Sequence, residues 1–294
     1  MTDLRQTDEY AQFMELIGWK AKRSAAGFWT YWRKIPVIGL SIMKLQRVGV
    51  DEVDWEELTE LARRNRVIVG YIEPADESTP EKGWRSKLIS HGYRAMRSGL
   101  LPTKTRVIDV MKPLSEMKAE MKVKTRYNLG RAGRYNLKTQ VVNGGELINQ
   151  PQLFHEVEQL LKTHAKEIGY WGYSRNYMRA YLKAFDRRSF LVRVKSEEGT
   201  LIAGALFLCT SEGGYYSFNG STKLGRQHHA PTLAIWEGIR ELKRRNLGWL
   251  DLDGVYDERY PLKRWRGFSR FKAGFGGKLW YYPPAYVKFL PSRK

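Results

Sequence analysis

The chain of 294 residues is 42% hydrophobic and 13% aromatic, so it can bury the core of one large domain or of two ordinary ones. It contains no run of 18 apolar residues, so no membrane-spanning helix is predicted. The N-terminus lacks the basic and apolar regions of a signal peptide, and the single cysteine, Cys209, argues against a disulfide framework or a multi-cysteine zinc site. These features predict a cytoplasmic protein.

Positive charge is the strongest global feature of the sequence. Lysines and arginines number 51 against 31 acidic residues, which gives a net charge of +20. Residues 259–294 contain ten basic and no acidic side chains, and residues 101–140 contain ten basic against three acidic ones. Such segregation predicts a polyanionic partner, which can be nucleic acid, anionic lipid or a phosphorylated substrate. A basic surface that only keeps the protein in solution is the alternative.

The first half of the chain predicts strands that alternate with helices. Asp54 precedes an amphipathic helix as its N-cap, and this helix leads into a strand at residues 66–74. A second helix is predicted over residues 79–93, followed by a strand over residues 105–110. One long helix is then predicted over residues 113–135, with a proline at its start.

The second half combines helices with a meander of strands. Apolar residues spaced three or four apart predict the helices, and short apolar or aromatic runs bounded by glycine turns predict the strands. The predicted helices cover residues 150–169, 174–185, 232–246 and 262–274. The predicted strands cover residues 189–195, 200–208, 213–221, 248–254 and 278–284. This order predicts an α+β domain of acyltransferase type, present in two copies along the chain.

Four segments resemble, in the same order, segments of the FemABX family of peptidoglycan-bridge aminoacyltransferases. They are QTDEYAQFMELIGWK (6–20), MKVKTRYNLGRAGRYNLK (121–138), SFNGSTKLGRQHHAPTLAIWEGI (217–239) and GFSRFKAGFGGKLWYY (267–282). The resemblance implies an α+β fold of two GNAT-like domains, each a mixed sheet flanked by helices. The first would cover residues 1–108, completed by the C-terminal strand 282–294, and the second residues 109–281. The chain has no segment for the helical arm of many long family members, so an arm-less form is expected.

The resemblance also implies an activity. Family members transfer an amino acid from aminoacyl-tRNA to the peptide stem of a lipid-linked or UDP-linked peptidoglycan precursor. An acyl-CoA enzyme would need a Q/R-x-x-G-x-G/A turn, whereas the corresponding segment reads STKLGRQHHAP (221–231). We therefore expect aminoacyl-tRNA as co-substrate and no cofactor. A GNAT-fold N-acyltransferase with another acyl donor, and a non-catalytic protein that binds RNA or a membrane surface, are the alternatives.

An aminoacyl ester is already activated, so its transfer depends on positioning and on stabilising a tetrahedral oxyanion. A lysine ammonium is a compact charge that suits this oxyanion. The resemblance assigns the role to Lys272 in SRFKAGFGG (269–277), and a surface lysine is the alternative. Phe271 matches a family aromatic that would shape the entry of the aminoacyl end. Its helical spacing from neighbouring aromatics is equally typical of ordinary core.

Three further residues match substrate-binding positions of the family. Tyr177 matches a tyrosine that contacts the precursor, and Phe218 stands where the family can have a tyrosine, so one hydroxyl is lost. Glu73 can orient the acceptor amine, accept its proton, or only cap the end of its strand. Tyr173 replaces a family arginine, and no N-terminal phosphate-binding lysine is evident, which favours a lipid-linked acceptor.

A basic ridge is predicted on the helix that contains the second matching segment, with Tyr127 available for stacking. Its predicted contacts to tRNA or to substrate phosphates are Lys122, Lys124, Arg126 and Arg131. Helical spacing places Arg134 on the same ridge. A solvated helix face is the alternative.

The remaining expectations concern metals and partners. His228 and His229 would point about 100° apart on a helix, so no metal site is expected, and a role as base stays open. The basic and aromatic C-terminal segment, residues 265–294, suits transient contact with an anionic inner leaflet. A monomer is expected.

Overall fold

Two mixed β-sheets flanked by helices make up the fold of the computed structural model, which describes residues 2–75, 81–97, 99–169 and 174–291. The strands formed by these residues are β1 (Lys20–Arg23), β2 (Trp29–Lys34), β3 (Ser41–Val48), β4 (Val67–Pro74), β5 (Arg94–Ala95), β6 (Lys104–Asp109), β7 (Lys138–Asn143), β8 (Ser189–Lys195), β9 (Leu201–Cys209), β10 (Gly213–Ser221), β11 (Trp249–Gly254), β12 (Lys278–Tyr281) and β13 (Tyr286–Phe289). The helices are α1 (Asp8–Leu16), α2 (Trp55–Arg64), α3 (Glu81–Ser90), α4 (Leu114–Glu120), α5 (Val123–Ala132), α6 (Gly144–Asn149), α7 (Pro151–Glu167), α8 (Arg175–Phe185), α9 (Lys223–Gln227), α10 (Ala230–Arg244) and α11 (Arg266–Lys272). No helix of the described residues has both the length and the apolar character needed to span a bilayer.

The chain divides into two compact units, each with its own sheet. The N-terminal unit comprises Thr2–Thr105, Tyr256–Lys263 and Trp280–Lys294. Its sheet has the strand order β1-β2-β3-β4-β13-β5. Strands β1, β2 and β3 are antiparallel neighbours, β3 runs parallel to β4, and β13 pairs antiparallel with β4. A strand from the far end of the sequence therefore completes the sheet built by the first hundred residues.

Local capping and an apolar face hold helix α2 on this sheet. The Asp54 side chain accepts a hydrogen bond of 2.9 Å from the Glu57 backbone N–H, which confirms the predicted N-cap. Leu58 of α2 joins Leu45 of β3 and Ile72 of β4 in the core of the unit. Burial of each such side chain contributes about 1.5–3 kcal/mol, so packing rather than helix propensity fixes the position of α2.

The C-terminal unit comprises Arg106–Val255 and Arg264–Leu279. Its sheet has the order β12-β6-β11-β10-β9-β8-β7, in which β7 to β10 are antiparallel and β10 runs parallel to β11. The strands predicted over residues 189–195, 200–208 and 213–221 are confirmed. Every residue of β9 is buried, because α7 and α10 both pack on this strand.

The single long helix predicted over residues 113–135 was wrong, because the segment forms two helices, α4 and α5. Met121 and Lys122 between them have ψ angles of 146° and 145°, which are extended rather than helical. Met121 is buried, and the Lys122 N–H donates to the Gly274 carbonyl oxygen at 2.9 Å. Tertiary contacts fix this turn, so no helix-breaking residue marks it in the sequence. Arg134 lies beyond the end of α5.

The loop between β2 and β3 contains a backbone conformation that valine rarely adopts. Val37 has a φ of +74°, and the Ile38 N–H donates to the Pro36 carbonyl oxygen at 3.0 Å across it, which makes a γ-turn of the strained kind. A residue other than glycine at positive φ costs about 1–3 kcal/mol. Val37 is fully exposed, so packing of its side chain offsets little of that strain.

We expect Val37→Gly to raise the free energy of unfolding by about 1 kcal/mol, because relief of the strained φ exceeds the added entropy of the unfolded chain. The matched control is Ile38→Gly, at a neighbouring exposed position that does not have a positive φ. This control should lose about 0.5 kcal/mol. Urea unfolding at one pH measures both; a Val37→Gly protein less stable than the parent would contradict the assignment of strain.

Candidate active site

Two neighbouring strands part in the middle of the seven-stranded sheet. Strands β10 and β11 pair only where Gly213–Tyr215 faces Trp249–Asp251. Beyond this ladder β10 continues to Ser221 while paired with β9, and β11 continues to Gly254. We call the separated ends, residues 216–221 and 252–254, the strand opening. Backbone groups on the facing edges of the opening can bind something other than a strand.

Lys272 is the last residue of α11, and its ammonium group lies at the strand opening. The Nζ atom donates a hydrogen bond to the Gly254 carbonyl oxygen at 2.8 Å. It lies 4.9 Å from the ring centroid of Phe268 and 5.9 Å from that of Tyr216. The residue is 8% exposed. The predicted catalytic lysine is therefore a buried residue of the C-terminal unit rather than a surface lysine.

The environment of Lys272 is that of a partly compensated buried charge. Burial lowers the pKa of its ammonium group below the ordinary value of 10.5, while the nearby Asp253 and Asp251 carboxylates oppose this shift. Among the described residues, the Gly254 carbonyl is the single hydrogen-bond acceptor of Nζ. An ammonium group has three N–H donors, so two are available for an incoming oxygen atom.

The two glycines that follow α11 turn the chain into β12, as the sequence predicted. Gly276 and Gly277 have φ values of +81° and +75°. A Cβ atom on Gly277 would lie 2.4 Å from the Val107 carbonyl oxygen, so no larger residue fits. Arg106 Nη1 donates to the carbonyl oxygens of both glycines at 3.0 and 2.8 Å. This contact with β6 fixes the end of α11 and hence the position of Lys272.

Phe271 lies next to the lysine but points to the protein interior. Its side chain is partly buried against the core of the C-terminal unit, and its ring meets the Phe275 ring edge-on at a centroid distance of 5.4 Å. This is the ordinary core packing that the sequence left open as an alternative. A role for Phe271 at the entry of the aminoacyl end stays a prediction.

The basic helix α5 docks directly on the segment that carries Lys272. The Lys122 N–H donates to the Gly274 carbonyl oxygen, two residues beyond Lys272. A Cβ atom on Gly274 would lie 2.2 Å from Thr125 Oγ1, so the two backbones meet at a distance that only glycine allows. The structure therefore brings the predicted phosphate-binding helix and the predicted catalytic lysine together within the C-terminal unit.

The basic residues of α5 differ in their availability for a ligand. Arg126 donates two hydrogen bonds of 2.7 Å, to the carbonyl oxygens of Ala119 and Met121, and thereby closes the end of α4. Lys122 and Lys124 are exposed, and no residue in the described part of the chain forms an ion pair with either. Of these three cations, the two lysines are the ones free to neutralise phosphate.

Arg131, the fourth cation, belongs to an aromatic cluster beside the first turn of α10. It donates to the hydroxyl groups of Tyr135 at 2.9 Å and Tyr127 at 3.4 Å. Tyr135 stacks on His228 with a centroid distance of 4.1 Å. Burial lowers the pKa of His229, and Arg131 lowers it further, which indicates a positive field where α10 begins. No group of three His, Cys, Asp or Glu residues within the described ranges is placed to hold a metal ion.

A β-bulge in β10 divides the predicted site residues between the two faces of the sheet. Ser217 is the extra residue, because Tyr216 and Phe218 pair with consecutive residues of β9. Residues two apart in a regular strand share a face, whereas the bulge turns these two to opposite faces. Tyr216 accordingly packs in the core cluster that contains α10, and the Phe218 ring meets Tyr181 of α8 at 5.9 Å.

Tyr177 and Phe218, the two predicted acceptor-binding aromatics, lie close together. Both contact Tyr181, with ring-centroid distances of 5.3 Å from Tyr177 and 5.9 Å from Phe218. Tyr177 is 37% exposed, so its ring can meet a ligand. Tyr173, which replaces the family arginine, lies outside the described residues. The sheet face that carries these aromatics is the one opposite to α10.

Glu73 lies at the end of β4 in the N-terminal unit, where it is 2% exposed. Its Oε2 accepts a hydrogen bond from Gln46 Nε2 at 2.5 Å, and Oε1 accepts one from the Leu101 N–H at 2.7 Å. These contacts are those of a strand-end cap, and roles in orienting or deprotonating an amine stay predictions. Burial lowers the pKa of the nearby Lys44 to about 8, and the Lys44 ammonium lies 4.7 Å from the Trp19 ring centroid.

The sequence did not reveal the groups that hold Lys272 in place. The Gly254 carbonyl and the Asp251 carboxylate come from the short strand GWLDLDG, where acidic residues within an apolar run were a visible signal. The bulge at Ser217 gives no such signal, because an aromatic run reads the same with or without one extra residue.

The comparison with protein families supports the resemblance found in the sequence. Residues 183–283 match the sequence model of the FemAB family, and this segment contains Phe218, Phe271 and Lys272. The predicted recognition of the FemABX family is therefore confirmed over this part of the chain. A comparison with curated proteins finds no match.

Solved structures share the fold of the whole chain at low sequence identity. One described as FemX has a TM-score of 0.82 at 15% identity, covering 98% of this chain and 92% of that one. The C-terminal domain of a candidate lysylphosphatidylglycerol synthetase from Agrobacterium fabrum has a TM-score of 0.61 at 16% identity, covering 97% and 88%. A tandem GNAT protein from the clavulanic acid biosynthesis pathway has a TM-score of 0.56 at 12% identity, covering 92% and 82%. The predicted α+β, GNAT-like fold is confirmed, and fold and family together indicate an acyltransferase.

The buried charge of Lys272 makes a prediction about stability and pH. Between its lowered folded-state pKa and 10.5 the unfolded chain binds more protons than the folded protein, so stability rises with pH in this window. Relative to Lys272→Met, the parent should gain about 1.4 kcal/mol of unfolding free energy for each unit of pKa depression. Denaturant unfolding of both proteins across alkaline pH measures the difference, and a gap that stays constant or narrows would contradict the burial of a charged lysine.

Proposed function

We propose that the protein is an aminoacyltransferase that moves an amino acid from aminoacyl-tRNA to the peptide stem of a peptidoglycan precursor. The observation that carries this proposal is the buried Lys272 ammonium at the strand opening, with the basic helix α5 docked beside it. The FemAB family match supports the reaction class. The similarity of fold to FemX supports a scaffold of the same kind.

The chemistry assigned to Lys272 is stabilisation of an oxyanion. The acceptor amine attacks the carbonyl carbon of the aminoacyl ester, and the carbonyl oxygen becomes the negative oxygen of a tetrahedral intermediate. The available N–H donors of Lys272 bind this oxygen in a site shielded from water, where a charge acts most strongly. Collapse breaks the bond to the tRNA ribose oxygen and forms the amide. The amine loses one proton and the ribose oxygen gains one, so the reaction balances.

The donor end is assigned to the face that carries α5 and α10. Lys122 and Lys124 are exposed and can neutralise phosphates, and the positive field at His229 lies where α10 begins. Tyr127 is 58% exposed and offers a surface for stacking a base. Arg126 and Arg131 support the helix and its aromatic cluster, so their contribution to tRNA binding is mainly through position.

The acceptor is assigned to the opposite face of the sheet, which carries Tyr177 and Phe218. Because the bulge at Ser217 directs Phe218 away from the Tyr216 face, the two substrates would approach from opposite sides. They would meet at the strand opening beside Lys272. A lipid-linked precursor is favoured because Phe218 lacks the hydroxyl of the matching family tyrosine.

Lys272→Met should lower kcat for aminoacyl transfer by roughly 10²–10³-fold, because a preorganised oxyanion donor is lost. Its affinity for uncharged tRNA should stay within about twofold of the parent, since no phosphate contact is removed. Single-turnover transfer and filter binding measure the two quantities.

The matched control for this test is Lys278→Met, which removes the same side chain from an exposed position on β12. It should retain parental transfer. Parental kcat in Lys272→Met, or an equal loss in the Lys278 control, would refute the oxyanion assignment.

The combined substitution Lys122→Gln and Lys124→Gln should weaken tRNA binding and make the slope of log K against log salt shallower by about two, because two phosphate contacts are removed. Lys183→Gln, an exposed cation of α8 on the acceptor face, is the matched control and should leave the slope unchanged. An unchanged slope in the double variant would place the tRNA elsewhere.

The reaction itself is tested with a pool of charged tRNAs and three acceptors, read by mass spectrometry. The acceptors are the lipid-linked precursor, the UDP-linked precursor and phosphatidylglycerol vesicles. The last is included because one similar fold is named as a lysylphosphatidylglycerol synthetase. An aminoacylated precursor supports the proposal. Aminoacylated phosphatidylglycerol would replace the acceptor, and transfer from an acyl thioester without tRNA would replace the donor.

A further inference from the structure

An exposed apolar apex projects from the sheet of the N-terminal unit. The loop of residues 35–40, here called the β2–β3 tip, is closed by a hydrogen bond of 2.7 Å from the Ile35 N–H to the Leu40 carbonyl oxygen. Val37 at its apex is fully exposed, and Ile38 is 51% exposed. The strained φ of Val37 holds an aliphatic side chain where glycine would fit more easily. A strained residue without a packing role points to a function of the side chain itself.

The sheet topology brings another exposed hydrophobic residue to the same edge. Strands β3 and β4 are parallel and both begin at the edge where the β2–β3 tip lies. Strand β13 runs antiparallel to β4 and therefore ends at this edge, where Phe289 pairs with Val69. Phe289 is 76% exposed. Val37, Ile38 and Phe289 thus give one edge of the sheet an apolar character.

Three cations lie immediately behind this apolar edge. Arg33 and Lys34 are the last residues of β2, and Arg66 directly precedes β4, with its Nη1 3.6 Å from the position of a Cβ on Gly39. All three are exposed, and none forms an ion pair with a residue in the described part of the chain. The sequence of residues 33–40 contains no acidic residue. The local charge is therefore positive and uncompensated.

We propose that this edge docks the protein on an anionic lipid surface. Val37 and Ile38 enter the headgroup boundary, while Arg33, Lys34 and Arg66 bind the lipid phosphates. A bilayer interface offers this pairing of an apolar layer with negative charge above it. RNA would bind the cations but has no use for an aliphatic apex, so it explains only half of the arrangement. The inference stands apart from the proposed function, because vesicle binding requires neither tRNA nor acceptor.

The chain allows a site-specific probe of this contact. Cys209 is its single cysteine and is buried, and burial raises the pKa of its thiol to about 12, so it resists labelling. Val37→Cys can therefore be labelled selectively with an environment-sensitive fluorophore. Its emission should rise and shift to the blue with vesicles of phosphatidylglycerol and phosphatidylcholine in equal parts. The same label at Met111→Cys, an exposed position in the C-terminal unit, should not respond. No response at position 37, or equal responses at both positions, overturns the proposal.

Vesicle co-sedimentation of unlabelled proteins separates the apolar and ionic contributions. Val37→Asp with Ile38→Asp should weaken binding more than about tenfold, because the apex can no longer enter the interface. Replacing Arg33, Lys34 and Arg66 by Gln should weaken it by roughly fivefold for each cation. Val37→Gly, which is expected to fold at least as stably as the parent, should also bind more weakly. Parental binding in these variants refutes the proposal.

The charge variant has a matched control on the other basic surface. Lys122→Gln with Lys124→Gln should keep parental vesicle binding while tRNA affinity falls. If the variant at Arg33, Lys34 and Arg66 instead loses tRNA affinity and keeps vesicle affinity, this edge binds RNA and the lipid proposal is wrong. Because vesicle binding and aminoacyl transfer are measured separately, failure of one is distinguishable from failure of the other.

Discussion

The ammonium group of Lys272, buried at the strand opening, is the feature on which the proposed chemistry depends. Moving a charge out of water costs several kcal/mol, and a protein keeps such a charge only where other groups compensate it. Here the compensation is partial, because the Gly254 carbonyl accepts one hydrogen bond while the Asp251 and Asp253 carboxylates act from a distance. An oxyanion would complete it. The folded protein thus carries the desolvation cost before the substrate arrives, which is how a preorganised site lowers a barrier.

The architecture of the C-terminal unit creates this position from ordinary elements. The ladder between β10 and β11 ends after Tyr215, so the sheet opens where a continuous ladder would leave no space. The bulge at Ser217 then turns neighbouring aromatics to opposite faces, and the close contact between Gly274 and Thr125 docks the basic helix α5 beside α11. A donor and an acceptor can therefore reach one lysine from two sides. The positive φ angles of Gly276 and Gly277 return the chain to the sheet without displacing Lys272.

Much of this fold could be predicted because its signals are local. The Asp54 cap, the apolar strands between residues 189 and 221, and the glycine turn after Lys272 are all written in short segments. The division of residues 113–135 into two helices could not be predicted, since burial of Met121 and the contact to Gly274 are tertiary. For the same reason the sequence found Lys272 by resemblance but not the Gly254 carbonyl that orients it. Resemblance identifies a residue type at a position, whereas pairing and burial decide what that residue can do.

The central claim is that the Lys272 ammonium is a buried cation that an anionic oxygen stabilises. Its most direct test is NMR titration of the 15Nζ signal, assigned by comparison with Lys272→Met, in the free protein and with a phosphonate analogue of the tetrahedral intermediate attached to an RNA acceptor end. The account predicts a pKa below 10.5 in the free protein and a rise on binding, because the analogue's oxygen favours the charged form. An ordinary lysine pKa that the analogue leaves unchanged would contradict it.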